Sequence, residues 1–212
     1  VYLHYVLDLW FEKCIKKQLY GEAYLVRFAD DFLIMFQYER DAQRVYEAII
    51  KRMELFGLEL SKEKTRILPF GRYSASRETF DFLGFTHFNS KTRKGYYTVG
   101  HKISRKKKKQ FKSNLKKWVK KNRDKQFDEF MKKLNKKLTG SFNYYSLSGM
   151  IREVRNLWNH AQYVTFKWLN RRSQRRSFKL ERFYEIWNDL IVHPYIHVDI
   201  WSGDKVIYNK YV

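Results

Sequence analysis

No stretch of this sequence stays apolar for the roughly 20 residues that a bilayer-spanning helix requires, and no signal peptide is visible in it. No membrane is expected as a partner. Cysteine is almost missing as well. The single Cys14 cannot pair within the chain, which excludes a disulfide framework and fits a reducing, cytoplasmic setting. It falls on the apolar side of the first helical pattern, where a buried structural thiol is expected. Internal repeats and low-complexity linkers are absent. Acid is scarce too: 22 Asp and Glu face 44 Lys and Arg, a formal net charge of +22. That imbalance calls for a polyanionic partner, nucleic acid first and an anionic membrane surface second.

The excess charge is not evenly spread. Residues 1–100 hold 16 Lys and Arg against 13 Asp and Glu, residues 101–180 hold 25 against 4, and residues 181–212 hold 3 against 5. A catalytic or structural module followed by a dedicated nucleic-acid-binding one accounts for that asymmetry. The chain opens on Val1 in mid-pattern rather than on Met, as a fragment of a longer protein would.

Around residues 23–37 two short apolar runs flank Phe28-Ala29-Asp30-Asp31. Each suits a buried strand. Two adjacent Asp in mid-strand would force one into the core, because neighbours point to opposite faces. At a hairpin tip both can face one spot, where paired carboxylates suit a hard divalent cation such as Mg²⁺. An ordinary acidic turn would look the same locally.

Before the hairpin, Leu3, Val6, Leu7, Trp10, Phe11 and Cys14 follow helical spacing. After it, Ala42, Val45, Tyr46, Ile49, Met53 and Phe56 predict a helix ended by Gly57. A strand is expected at Thr65-Arg66-Ile67-Leu68, another over residues 80–88 with Gly84 inside it, and a further one at residues 96–99. This is an α+β pattern.

Past His101 three basic amphipathic helices are expected. Their stripes are Phe111, Leu115, Trp118 and Val119; then Phe127, Phe130, Met131, Leu134 and Leu138, closed by Gly140; then Met150, Val154, Leu157, Trp158, Ala161, Thr165, Trp168 and Leu169. Packed together, they would leave a positive outer surface. No firm period emerges over residues 182–212.

The run Arg105-Lys106-Lys107-Lys108-Lys109 and the cations of residues 171–176 offer phosphate contacts. Arg171, Arg172, Arg175 and Arg176 would pair on one helical face, and Tyr144 and Tyr145, expected in a loop, could stack on bases. His193 and His197 have Pro194 between them and no Cys or third His nearby, so zinc is not expected there.

Taken in order, residues 23–36, then GLELSKEKTRI, then FDFLGFTHF, resemble the late palm motifs of group II intron reverse transcriptases. Phe28-Ala29-Asp30-Asp31 stands where that family usually has Tyr-Ala-Asp-Asp. Ser141-Phe142-Asn143-Tyr144-Tyr145 and Lys167-Trp168-Leu169-Asn170-Arg171-Arg172-Ser173-Gln174 are similar to the thumb, or maturase-specific domain X, of the same proteins.

The resemblance implies an α+β fold: a partial palm over residues 1–100, a β-hairpin with packed helices, followed by a mostly helical thumb bundle over residues 101–180 and an extension over 181–212. It implies an RNA-directed DNA polymerase and intron-RNA maturase whose partners are intron or template RNA, a DNA primer and deoxynucleotides, with Mg²⁺ as cofactor. Asp30 would coordinate the metal and Asp31 support it. Phe28 and Ala29 would lie by the primer end and nucleotide, and Phe82, Leu83 and Gly84 would form a primer-grip hairpin. Lys64 would assist the leaving pyrophosphate, although a surface lysine on a strand edge fits its position equally.

One departure matters. The family needs a further Asp from an upstream strand, and neither that strand nor the fingers precede Tyr24 here. The chain alone is therefore expected to bind RNA without extending a primer. Two rivals are a non-catalytic RNA-binding splicing factor and a related reverse transcriptase of defence or CRISPR adaptation.

Overall fold

A computed structural model of the chain describes residues 2–61, 63–172 and 177–195. It is α+β, as the sequence implies, and divides into two compact units. One comprises Val1–Leu83 with His87–Gly100, the other Gly84–Thr86 with everything from His101 onward.

The first unit starts with helical winding of an unexpected kind. His4–Asp8 and Phe11–Ile15 are π-helical turns, with Leu9 N–H bonded to His4 O and Lys16 N–H to Phe11 O, and Lys16–Gln18 is a 3₁₀ turn. An i→i+5 bond widens the turn beyond the roughly 3.6 residues of an α-helix. The residue three positions after Phe11 then rotates off the buried face, and the residue four after it rotates on. So Cys14 is exposed, contrary to the expected buried thiol, and Ile15 packs on the core in its place.

Next comes a hairpin, β1 (Ala23–Phe28) and β2 (Asp31–Phe36), antiparallel from Ala23↔Phe36 to Phe28↔Asp31. Its inward face, Ala23, Leu25, Phe32, Ile34 and Phe36, lies on Val6, Leu7 and Phe11 and on Val45, Ile49 and Met53 of α1 (Glu39–Leu55). A two-stranded ribbon is marginal by itself, and this packed face is what holds it. Gly57 ends α1 as expected. At φ +67° it lets Gly57 N–H reach Glu54 O and Leu58 N–H reach Met53 O, the paired bonds of a Schellman stop. From the first turn of α1 the buried Asp41 accepts the Tyr20 and Gly21 N–H groups at 3.0 Å each, which fixes the entry to β1.

Two expectations after α1 need correction. No strand forms at Thr65–Leu68, whose backbone is irregular; Ser61 O instead collects the N–H groups of Lys64 and Thr65 and the Thr65 hydroxyl. Residues 80–88 are not one strand. They contain β3 (Thr79–Phe82), a turn with positive φ at Leu83 and Gly84, and the start of β4 (Phe85–Lys91). Positive φ at both central residues is the signature of a tight hairpin turn matched to strand twist. With β5 (Tyr97–Ile103) they make a sheet in the order β3-β4-β5.

The second unit holds α2 (Arg105–Asn122), α3 (Phe127–Tyr145), α4 (Ile151–Leu169) and α5 (Leu180–Leu190). Their stripes meet in a core of Leu115, Val119, Phe130, Leu134, Leu138, Val154, Leu157 and Ala161, all 2 % exposed or less. Helix α3 runs through Gly140 to Tyr145 instead of stopping at the glycine. A mid-helix Gly costs about 1 kcal/mol, and burying Phe142 on the next turn outweighs it. Beyond α4 the Asn170 side chain holds Phe178 by two backbone hydrogen bonds, of 2.8 and 3.1 Å, returning the chain to the bundle.

Helix α5 was not expected. Phe183 and Trp187, both fully buried, insert among Phe166, Phe178 and Trp158. Trp187→Ala should cost about 3–5 kcal/mol. Trp187→Phe should cost less, since the indole N–H has no acceptor among the described residues. Thermal unfolding followed by circular dichroism measures both, and equal midpoints for Trp187→Ala and wild type would show that α5 is not part of the core.

Candidate functional site

The hairpin register leaves Ala29 and Asp30 as a two-residue turn closed by the Phe28↔Asp31 pair. Ala29 adopts φ +53°, a left-handed conformation that costs a side chain with a Cβ roughly 1–2 kcal/mol. That bend moves Asp30 off the strand and leaves Asp31 as the first residue of β2. Both carboxylates are exposed, and neither forms a hydrogen bond or ion pair among the described residues. Phe28, 64 % exposed, shares its strand face with Tyr24 and Val26; Asp31 shares its own with Leu33 and Met35. The outer face of the hairpin is thus apolar with carboxylates at one end.

Arg27 has the opposite parity, the one that Ala23 and Leu25 use to reach the core. A guanidinium there needs partners. It places Nε 2.7 Å from Asp8 Oδ1 and Nη2 2.6 Å from Asp8 Oδ2, and its Nη1 donates to Ala29 O at 2.8 Å. Those bonds hold the Asp8 carboxyl below the usual carboxylate range, against the opposing pull of burial. Arg27 is raised above its ordinary value first by that same pairing, with a lesser Coulombic contribution from Asp30. Neither Asp8 nor Arg27 figured among the sequence candidates. The signal that could have found them is a charge at a core-facing strand position.

Two carboxylate side chains of adjacent residues fit a hard oxygen-liganded cation in kind but supply only part of its shell. No group of three or more His, Cys, Asp or Glu suited to a metal exists among the described residues. Lys64 sits exposed in the turn after Ser61, its side chain without a hydrogen bond or ion pair among the described residues, to the two Asp or to any other. Phe82 ends β3 and Leu83 opens the turn that follows. Gly84 O accepts the Ser104 N–H at 2.9 Å, and a Cβ on Gly84 would lie 3.4 Å from Lys107 and 3.8 Å from the Tyr145 hydroxyl.

In the helical unit Ser104 caps α2, accepting from Lys107 N–H, and the next five residues are all basic. Arg105, Lys106, Lys107 and Lys109 are exposed, whereas Lys108 is half-buried in an ion pair with Glu153 of α4. Cations at a helix N-terminus oppose the macrodipole, so this run opposes helix stability locally. Trp168 collects three more cations around its ring: Lys120 Nζ at 5.5 Å, Arg123 Cζ at 5.6 Å and Arg171 Cζ at 5.5 Å. Cation–π attraction offsets part of their mutual repulsion.

The expected arginine face can be followed only at its first two residues. Helix α4 ends at Leu169, so Arg171 and Arg172 lie past its C-terminus, and Arg175 and Arg176 are outside the described residues. Arg172 donates to Leu169 O and Arg123 O and so works as a helix-end clasp. Tyr144 and Tyr145 belong to the last turn of α3, not to a loop. Tyr144 is exposed but stacks on Phe85 at 5.6 Å, and Tyr145 is half-buried with its phenol raised by that burial. His193 stacks on Trp158, and His197 lies outside the described residues.

Residues 1–87 match the reverse transcriptase (RNA-dependent DNA polymerase) family, and residues 108–185 match the group II intron maturase-specific domain. The first match defines the class around the Phe28–Asp31 turn. The two in this order place the chain in the group II intron reverse transcriptase/maturase family. Among curated proteins, comparison found no match. Nucleic acid, intron RNA included, is the partner class these domains imply. No described helix is long and apolar enough to cross a membrane.

Proposed function

We propose that the chain is the later part of a reverse-transcriptase palm, residues 1–100, joined to a helical thumb or domain X over residues 101–180, and that it serves RNA-directed DNA synthesis and intron-RNA binding. The observation that carries this reading is the turn at Ala29: it presents two consecutive exposed carboxylates, unpaired among the described residues, in a chain whose residues 101–180 are strongly basic. Asp30 and Asp31 would hold Mg²⁺, which when bound supplies Lewis-acid stabilisation of the oxygens in phosphoryl transfer. Phe28 packs a flat apolar ring beside the primer sugar without the hydroxyl of the usual tyrosine. Lys64, the Phe82-Leu83-Gly84 turn and Ala29 would contact nucleotide or primer. Arg105, Lys106, Lys107, Lys109 and Arg171, with Tyr144, would meet the RNA.

Two carboxylates are fewer than two-metal chemistry requires. The purified chain should therefore retain RNA in a filter-binding assay and yet fail to extend an annealed primer with Mg²⁺ and deoxynucleotides. Extension would overturn the incomplete-site reading, and loss of RNA binding would overturn the thumb reading.

A further inference from the structure

We infer that Arg27, held by Asp8, is the positioning residue of the acidic turn. This rests on Asp30 and Asp31 being the metal seat, and it goes further by naming what fixes their backbone. The guanidinium makes three bonds with two different jobs. Two run in parallel to the Asp8 carboxylate, a bidentate geometry that fixes the plane of the guanidinium as well as its distance. The third leaves from Nη1 to Ala29 O, the carbonyl of the one residue in the hairpin forced into positive φ. That carbonyl belongs to the peptide plane whose nitrogen is Asp30 N. Holding the oxygen holds the plane, and the plane sets the direction in which Asp30 leaves the chain.

Asp8 is itself anchored. It belongs to the π turn whose neighbours Val6 and Leu7 are buried in the core, and His4 Nδ1 lies 3.2 Å from its Oδ2. A path of polar contacts therefore runs from a packed helical turn through Asp8 and Arg27 to the tip of the hairpin. It also explains the inward parity of Arg27, which would otherwise place a charge over the apolar core without return. A lysine could reach either Asp8 or the Ala29 carbonyl but lacks the planar fork to hold both in fixed geometry.

The test uses this chain, with ¹⁵N amide hydrogen exchange and MnCl₂ as the metal probe. In Arg27→Ala, exchange at Asp31, the amide of the pair that closes the ladder, should rise about tenfold or more, while amides of α1 around Val45 and Ile49 keep their protection; the size follows if the turn opening loses roughly one charged hydrogen bond. Asp8→Asn should give the same pattern more weakly, and Arg27→Lys should restore it only in part. Mn²⁺ broadening of the Asp30 and Asp31 signals should weaken in Arg27→Ala although both carboxylates remain. Unchanged exchange at the turn would overturn the inference, as would a rise spread evenly over the whole unit, the mark of a purely structural ion pair. Full restoration by Arg27→Lys would also overturn it. Asp30→Ala separates the two readings. If it leaves the Mn²⁺ broadening intact, the metal seat is wrong, whereas the exchange data still decide the role of Arg27.

Discussion

On the proposed function, Asp30→Ala in a polymerase that carries this palm segment should lower cDNA synthesis about 10³-fold or more, while RNA affinity stays level or rises. The size follows from what a metal-bearing carboxylate supplies, several kcal/mol of transition-state charge stabilisation at 1.36 kcal/mol per tenfold. The direction of the affinity change follows from sign alone. Asp30 is an exposed anion with no ion pair among the described residues, and Arg27 keeps its Asp8 partner without it, so removing Asp30 relieves repulsion against phosphates. Primer extension and equilibrium RNA binding on one preparation check both. Parallel loss of the two would mean that the variant unfolds or that Asp30 is structural. Retained synthesis would mean that the turn carries no metal.

RNA affinity of the chain should fall about 10³–10⁵-fold between 50 and 200 mM salt if six to ten phosphates are neutralised. Among the described residues of the basic run that opens α2, only Lys108 is paired with an acid; of the cations around Trp168, Arg123 also lies 3.8 Å from Asp124, while Lys120 and Arg171 have no acid partner among the described residues. Uncommitted cations can exchange counterions for phosphates, and that exchange is what the salt slope counts. A titration at fixed temperature in increasing KCl gives the slope, and a flat line would remove phosphate contact from the account.

Much of this was legible because it depends on local rules. The hairpin could be read from two apolar runs around paired acids, since a strand cannot hide one of two neighbouring carboxylates. The stop of α1 followed from Gly57, whose positive φ no other residue adopts as cheaply. What escaped reading was set by packing at a distance. The π winding before β1 depends on which residues α1 and the hairpin offer as neighbours, and it turned Cys14 outward. Helix α3 passed Gly140 because Phe142 had a core to enter. In α5 the buried spacing of Phe183, Trp187 and Ile191 was present, but Leu180, Tyr184 and Leu190 are exposed and blur the stripe. The Asp8–Arg27 pair joins residues nineteen apart, and periodicity carries no information about such a match.

Helix α2 carries a further consequence. Its first turn is capped by Ser104 and then loaded with cations that its own dipole repels. A polyanion settling on that end would relieve a tension the empty helix must bear, so occupancy and fold strength there are linked quantities. By mass action, whatever binds the folded form of this segment in preference to its unfolded form must also raise its melting point. Its own field makes the free helical unit the weaker state, and a negatively charged companion completes it.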